Sequence, residues 1–127
     1  VRILLDANAL MMPVQFKVDL FCGLQELVGG FEPVVLPGVV QELTGLCRAK
    51  GRDGAAARYG LSLAERCTVA GANEVEPGTV DAQLIDYAVR HNCLVVTNDR
   101  LVKDRLLEHG IGVIVMRKQK KLDIVRK

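Results

Sequence analysis

Short apolar runs, each handing over to a stretch with helical spacing, constrain this chain more than any other feature. Residues 3–5, 33–36, 93–97 and 112–116 are apolar or nearly so, without a polar alternation. That is the pattern of strands covered on both faces. Between them, apolar residues recur at helical intervals: Leu20, Leu24, Leu27 and Val28; Val39, Val40, Leu43 and Leu46; Leu84, Ile85, Ala88 and Val89. Strands alternating with helices imply crossover units, a parallel sheet and helices on both of its faces. Right-handed connections leave few topologies for so short a chain. With 127 residues, a single domain with its own core is expected over 1–127. Aromatic residues make up only 4% and Trp is absent, so the core must be built from Val, Leu, Ile and Ala.

Local signals set expected boundaries. Pro13 precedes a helix over about 15–28, which Gly29-Gly30 stops. Pro37 suits the start of the next helix. Gly51-Arg52-Asp53-Gly54 breaks the chain, and residues 55–67 are Ala-rich and helical in propensity, with Gly60 against them. Residues 69–77 hold a short strand or only a loop. Thr79 caps a helix running towards His91, and residues 101–108 form another.

Several function classes drop out. No apolar stretch reaches the ~20 residues that cross a bilayer, so no membrane role is expected. The opening residues lack the apolar core and cleavage site of a secretory signal, and the expected location is cytoplasmic. Cys22, Cys47, Cys67 and Cys93 form no CxxC pair, and neither His91 nor His109 stands at zinc-finger spacing. Buried free thiols are the expected state. Net charge is only +2, but residues 117–127 carry six Lys or Arg against Asp123 alone. Residues 48–66 carry five basic residues against two acids. Each stretch is either a phosphate-facing patch or an ordinary solvated face.

The acids carry the chemistry. Asp6 closes the first apolar run and Asp99 follows the run ending in Thr97-Asn98. Glu42 lies one turn into the helix opened by Pro37, and Asp81 lies in the first turn of the helix capped by Thr79. Open α/β sheets place their sites outside the carboxyl ends of the strands. Two carboxylates ~5 Å apart repel by roughly 3 kcal/mol at an effective dielectric of about 20. A pocket of four therefore takes up protons or binds a divalent cation. Each acid alone has a plainer reading, as the first polar residue of a turn or as a charge at a helix start. Together at these junctions they point to metal-dependent hydrolysis of a phosphodiester. Asp104, five residues beyond Asp99, is a weaker acidic candidate, and Asp86 lies ~140° around its helix from Asp81. No Ser-His-Asp or Cys-His arrangement is supported.

Asp6-Ala7-Asn8, Glu42 after Pro37, Asp81-Ala82-Gln83-Leu84 and Thr97-Asn98-Asp99 together resemble the PIN-domain ribonucleases. The opening Asp6-Ala-Asn-Ala-Leu-Met-Met-Pro-Val-Gln-Phe-Lys-Val-Asp-Leu-Phe21, the Thr97-Asn-Asp-Arg stretch and the basic ending resemble the subgroup containing the small-subunit processome nuclease. The resemblance implies a three-layer α/β/α sandwich around a mostly parallel sheet of about five strands. It implies Mg²⁺- or Mn²⁺-dependent cleavage of single-stranded RNA, with a ribosomal RNA precursor as a candidate substrate. Asp6, Glu42, Asp81 and Asp99 would hold metal, with Asn8, Thr97 and Asn98 orienting them. Arg48, Arg52, Lys118, Lys120 and Lys121 would hold the strand. Members of the subgroup often carry two adjacent acids where this chain has Asp81 followed by Ala82. Alternatives are the ribonuclease toxin of a toxin–antitoxin pair and a non-catalytic RNA-binding or assembly module. The family commonly dimerises. Val14, Phe16 and Phe21 are candidates for such a homodimer contact, but core packing is the better reading of each.

Overall fold

A computed structural model of the chain describes residues 1–127. The elements run β1 (Arg2–Leu5), α1 (Ala7–Phe16), α2 (Leu20–Val28), β2 (Glu32–Val35), α3 (Pro37–Leu46), α4 (Gly51–Ala64) and β3 (Thr68–Val69). A 3₁₀ turn at Ala72–Glu74 follows, then α5 (Val80–His91), β4 (Leu94–Val96), α6 (Arg100–Glu108), β5 (Val113–Arg117) and β6 (Lys121–Val125). The six strands form one sheet in the order β3-β2-β1-β4-β5-β6, parallel except for the last pair. From β1 the chain first steps outward to β2 and β3, then returns to lay β4 on the other side of β1. The order therefore reverses between β1 and β4, where open sheets place their sites. Helices α1, α3 and α4 pack together, and α5 packs on α6, which gives the α/β/α sandwich.

The sheet is apolar on both faces, as the unbroken runs require. Ile3, Leu4, Leu5, Val35, Val95, Val96, Val113 and Ile114 are completely buried. Val14, Phe16 and Phe21 pack against the core, and Phe21 meets Phe31 edge-on with 6.0 Å between ring centroids. The inward stripes are narrower than the periodicity predicts, because Leu46 and Val89 are 40% and 44% exposed. The cysteines are all free, but only Cys93 is buried and Cys22 is exposed. Burial pushes the half-buried Cys67 thiol up to about 11.

Three boundaries differ from the sequence reading. The helix expected over 15–28 is two helices. Asp6 caps the first through the Ala7 N–H, so Pro13 lies inside α1. Lys17 then turns left-handed (φ 55°), and Asp19 caps α2 through the Cys22 N–H. Residues 51–54 begin α4 and do not break the chain. Gly54 is needed there because a Cβ would run into the carbonyl of Ala49. Gly60 permits close approach as well: its Cβ would stand 3.1 Å from the Leu10 carbonyl oxygen, where α4 crosses α1. Lastly, the basic segment 117–127 carries a strand that the sequence reading lacks. Leu122 and Ile124 turn inward and the segment forms β6, antiparallel to β5, so the sheet has six strands where about five were expected.

Gly54→Ala tests the α3–α4 junction. Because the obstructing atom is backbone and not a flexible side chain, the substitution is expected to cost about 3 kcal/mol. Urea unfolding measures it; a loss below about 0.5 kcal/mol would mean the junction yields freely.

Candidate active site

Leu5 of β1 pairs with Val96 of β4, so the next residues, Asp6 and Thr97, leave the sheet side by side. The Asp6 N–H continues the ladder to the Val96 carbonyl at 3.2 Å. Both side chains are buried, the only buried polar or charged residues in the chain. Asp6 Oδ1 accepts the Ala7 N–H at 2.8 Å. Its Oδ2 accepts the Thr97 hydroxyl at 2.9 Å and Asn8 Nδ2 at 3.0 Å. Oδ1 thus keeps a free lone pair, while Oδ2 is saturated.

Thr97 and Asn8 are themselves fixed. The Thr97 hydroxyl oxygen accepts the Asp99 N–H at 3.1 Å and Asn8 Nδ2 at 3.3 Å. Asn8 Oδ1 accepts the Asn98 N–H at 2.9 Å. Asn98 in turn accepts the Met116 N–H at 3.1 Å, tying this loop to β5. Asp99 caps α6, its Oδ1 taking the N–H groups of Leu101 and Val102 at 3.0 and 3.2 Å. Its other oxygen makes no hydrogen bond to the protein, and the residue is exposed.

Glu42 on α3 and Asp81 on α5 are exposed and make no hydrogen bond or ion pair. They nevertheless belong with Asp6 electrostatically. Burial raises the Asp6 carboxyl above its ordinary range, and the Asp81 and Asp99 charges raise it further, against the Thr97 and Ala7 hydrogen bonds. Glu42 is raised as well, first by loss of hydration on its inner side and then by the charges of Asp6 and Asp81. All four acids therefore share one field centred on Asp6. No cation of the protein offsets it: the three ion pairs are Arg2–Glu32, Arg90–Asp86 and Arg117–Asp123.

The acids do not form a closed cage. No group of three or more His, Cys, Asp or Glu side chains is arranged to hold a metal ion by itself. Uncompensated carboxylates repel, and the two on helices are free to turn into water. What they offer is a buried oxygen with one lone pair and exposed oxygens around it. That set fits a hard divalent cation that keeps several waters and takes one or two carboxylates together with substrate oxygens. It does not suit a soft metal, since no Cys or His joins it.

The remaining predicted residues divide. Asp104 is exposed on α6, and its charge is not among those that shift Asp6 or Glu42. Arg48 and Arg52 lie exposed around the α3–α4 connection, their side chains in no hydrogen bond or ion pair. Lys118 and Lys120 sit on the β5–β6 turn, and Lys121 opens β6 opposite Arg117. Lys118 shares a groove of about 530 Å³ with Asn98, Arg100 and Lys103. Arg100 and Lys103 were missed in the sequence because α6 mixes basic and acidic residues, and only the fold sets these two beside the basic turn.

Residues 3–119 match the family model described as a PIN like domain. The chain belongs to the PIN-like domain family. Among relatives, Ribonuclease VapC9 of Archaeoglobus fulgidus is 31% identical over 119 residues, covering 92% of this chain and 84% of that protein. Ribonuclease VapC4 of Methanocaldococcus jannaschii is 26% identical, covering 97% and 95%. Among solved structures, the PIN domain endonuclease Utp24 superposes with a TM-score of 0.79 at 26% identity, over 99% of this chain and 92% of that one. This PIN-like chain thus has ribonucleases for relatives, and nucleases of the family generally work with divalent metal ions. No helix in it is long and apolar enough to cross a membrane.

Proposed function

We propose that the protein is an endoribonuclease that cleaves single-stranded RNA with Mg²⁺ or Mn²⁺, at a site formed by Asp6, Glu42, Asp81 and Asp99. The observation that carries this reading is a carboxylate cluster at the β1/β4 switch point, centred on a buried aspartate and paired with no cation of the protein. Bound there, the cation would polarise the scissile phosphate and activate water. Asp6 would offer its Oδ1 lone pair and Asp99 its unbonded oxygen, with Glu42 and Asp81 completing the anionic rim. Thr97 and Asn8 would hold the Asp6 carboxylate in place, and Asn98 would hold Asn8. Arg48, Arg52, Lys118, Lys120 and Lys121 would add attraction for a polyanion.

The test is cleavage of an unstructured oligoribonucleotide with and without Mg²⁺ or Mn²⁺, using the parent, Asp6→Asn and Asp99→Asn. Cleavage that needs the cation and vanishes in both variants is expected. Variants as fast as the parent would show the site to be misassigned.

The raised carboxyls also set a pH dependence. Ionisation of Asp6 and Glu42 is unfavourable in the folded chain, so their contribution to stability is fully present below the unfolded values of about 3.9 and 4.3. It is lost as pH rises through the raised folded values. Without divalent cation, the urea midpoint should therefore fall as pH rises across that window. Mn²⁺ should remove much of the fall, because it binds the ionised form. A midpoint insensitive to Mn²⁺ at every pH would speak against cation binding.

For the biological substrate we favour a ribosomal RNA precursor, on the resemblance of residues 6–21, of Thr97-Asn98-Asp99-Arg100 and of the basic ending to the subgroup containing the small-subunit processome nuclease. The likeness to two archaeal ribonucleases supports a second reading, a toxin-type ribonuclease held inactive by a partner. A small neighbouring gene whose product co-purifies with the chain and blocks cleavage would decide for the second.

A further inference from the structure

We propose that the groove between α6 and the β5–β6 turn holds the sugar–phosphate backbone of the RNA strand beside the scissile phosphate, by charge alone and without reading bases. This rests on the nuclease reading and extends it. One wall of the groove carries Asn98, Arg100 and Lys103, and the other Met116, Arg117 and Lys118. Four cations line it and no acid does. Arg117 shares its charge with Asp123 at 2.8 Å, while Arg100, Lys103 and Lys118 have no carboxylate partner.

The groove is joined to the acid cluster. Asn98, at its inner end, gives its N–H to Asn8 and takes the Met116 N–H, and Asn8 also holds Asp6. On this proposal a strand with one phosphate at Asp6 continues past Asn98 into the basic channel. The outer end is built at a cost. Lys118 and Gln119 both adopt left-handed backbone, φ 54° and 58°, in a turn that usually uses Asn or Gly. Such a conformation is unfavourable for a residue with a side chain, and here it sets a lysine at the lip of the groove.

The absence of any stacking platform decides the mode of binding. Proteins that hold single strands commonly stack bases on aromatic rings. None of Phe16, Phe21, Phe31, Tyr59 or Tyr87 lines this groove. Affinity must come from phosphates, so it should be steeply salt-dependent and tolerant of base identity. Lys120 and Lys121 serve it less: they line a groove against α2 with Asp19 and Glu26, and the pocket they share with Arg117 and Lys118 also carries Asp123.

The experiment measures binding of fluorescent 12-nucleotide homopolymers of U, A and C to the full chain in EDTA, between 50 and 200 mM salt. Binding in EDTA does not depend on catalysis. For Lys103→Ser/Lys118→Ser, affinity is expected to fall about tenfold, with the log–log salt slope reduced by about 1.4, two contacts at ~0.7 each. Lys120→Ser/Lys121→Ser, which removes the same charge, is expected to lose less than half as much. Equal losses in the two pairs would overturn the groove assignment in favour of diffuse charge on the turn. A preference above about tenfold among the homopolymers would overturn binding by charge alone. Displacement of the RNA by an acidic peptide of equal charge at equal concentration would overturn the assignment to a phosphodiester strand. Should the parent bind as expected yet cleave nothing with Mn²⁺, the groove would stand and the nuclease reading would fall; cleavage with an unchanged salt slope would mean the reverse.

Discussion

Asp6→Asn is expected to lower the rate of RNA cleavage by about 10³-fold while leaving the chain folded. The substitution is isosteric and removes the one carboxylate that the other three acids surround. Its structural consequences oppose one another. Asparagine keeps Oδ1 for the Ala7 N–H, so the α1 cap survives, and it relieves the cost of a buried charge. Against that, its amide nitrogen would face Asn8 Nδ2 and the Thr97 hydroxyl, both of which donate in the parent. Each effect is worth about 1–3 kcal/mol, so the net change in the urea midpoint should be small. Asp99→Asn is the cleaner companion, because asparagine caps helices as well as aspartate does. A folded Asp6→Asn protein that cleaves within about threefold of the parent would remove the basis for the assignment.

Thr97→Val is the second large effect. The side chain is fully buried, and its hydroxyl donates to Asp6 while accepting from Asp99 and Asn8. Valine has the same shape and none of those bonds, leaving a buried carboxylate short of a donor and an N–H short of an acceptor. Stability should fall by about 2–3 kcal/mol. Cleavage at neutral pH should fall about 10–100-fold, in line with the loss of a group that orients a ligand. A merely structural role would stop there. But the Thr97 hydrogen bond is the largest influence lowering the Asp6 carboxyl, so its loss moves that carboxyl still higher. The pH–rate profile of Thr97→Val should therefore shift towards alkaline pH, with part of the activity recovered there, and Thr97→Ser should restore the parent profile. An unshifted profile in an active Thr97→Val protein would show that the hydroxyl does not tune Asp6.

What the sequence disclosed, and what it hid, follows from range. The β1 and β4 runs were legible because a strand buried on both faces must be apolar throughout, and Asp6 and Asp99 were legible as the first acids beyond them. The boundary between α1 and α2 was misread because Pro13 looks like a helix start. The stronger local device, Asp6 capping Ala7, belongs to a residue already claimed by the site. The β6 strand was hidden under its charges, although Leu122 and Ile124 alternate as an edge strand should. The Asn8–Asn98 bond joins residues 90 positions apart, and no spacing rule announces it. Arg100 and Lys103 were silent for the same reason.

Anomalous diffraction from a crystal soaked in Mn²⁺ tests the central claim most directly. The expected result is a peak within ligand distance of an Asp6 oxygen, with a second oxygen from Asp99, Asp81 or Glu42 turned towards it. Manganese bound elsewhere, with the β1/β4 rim left empty at saturating ion, would contradict it.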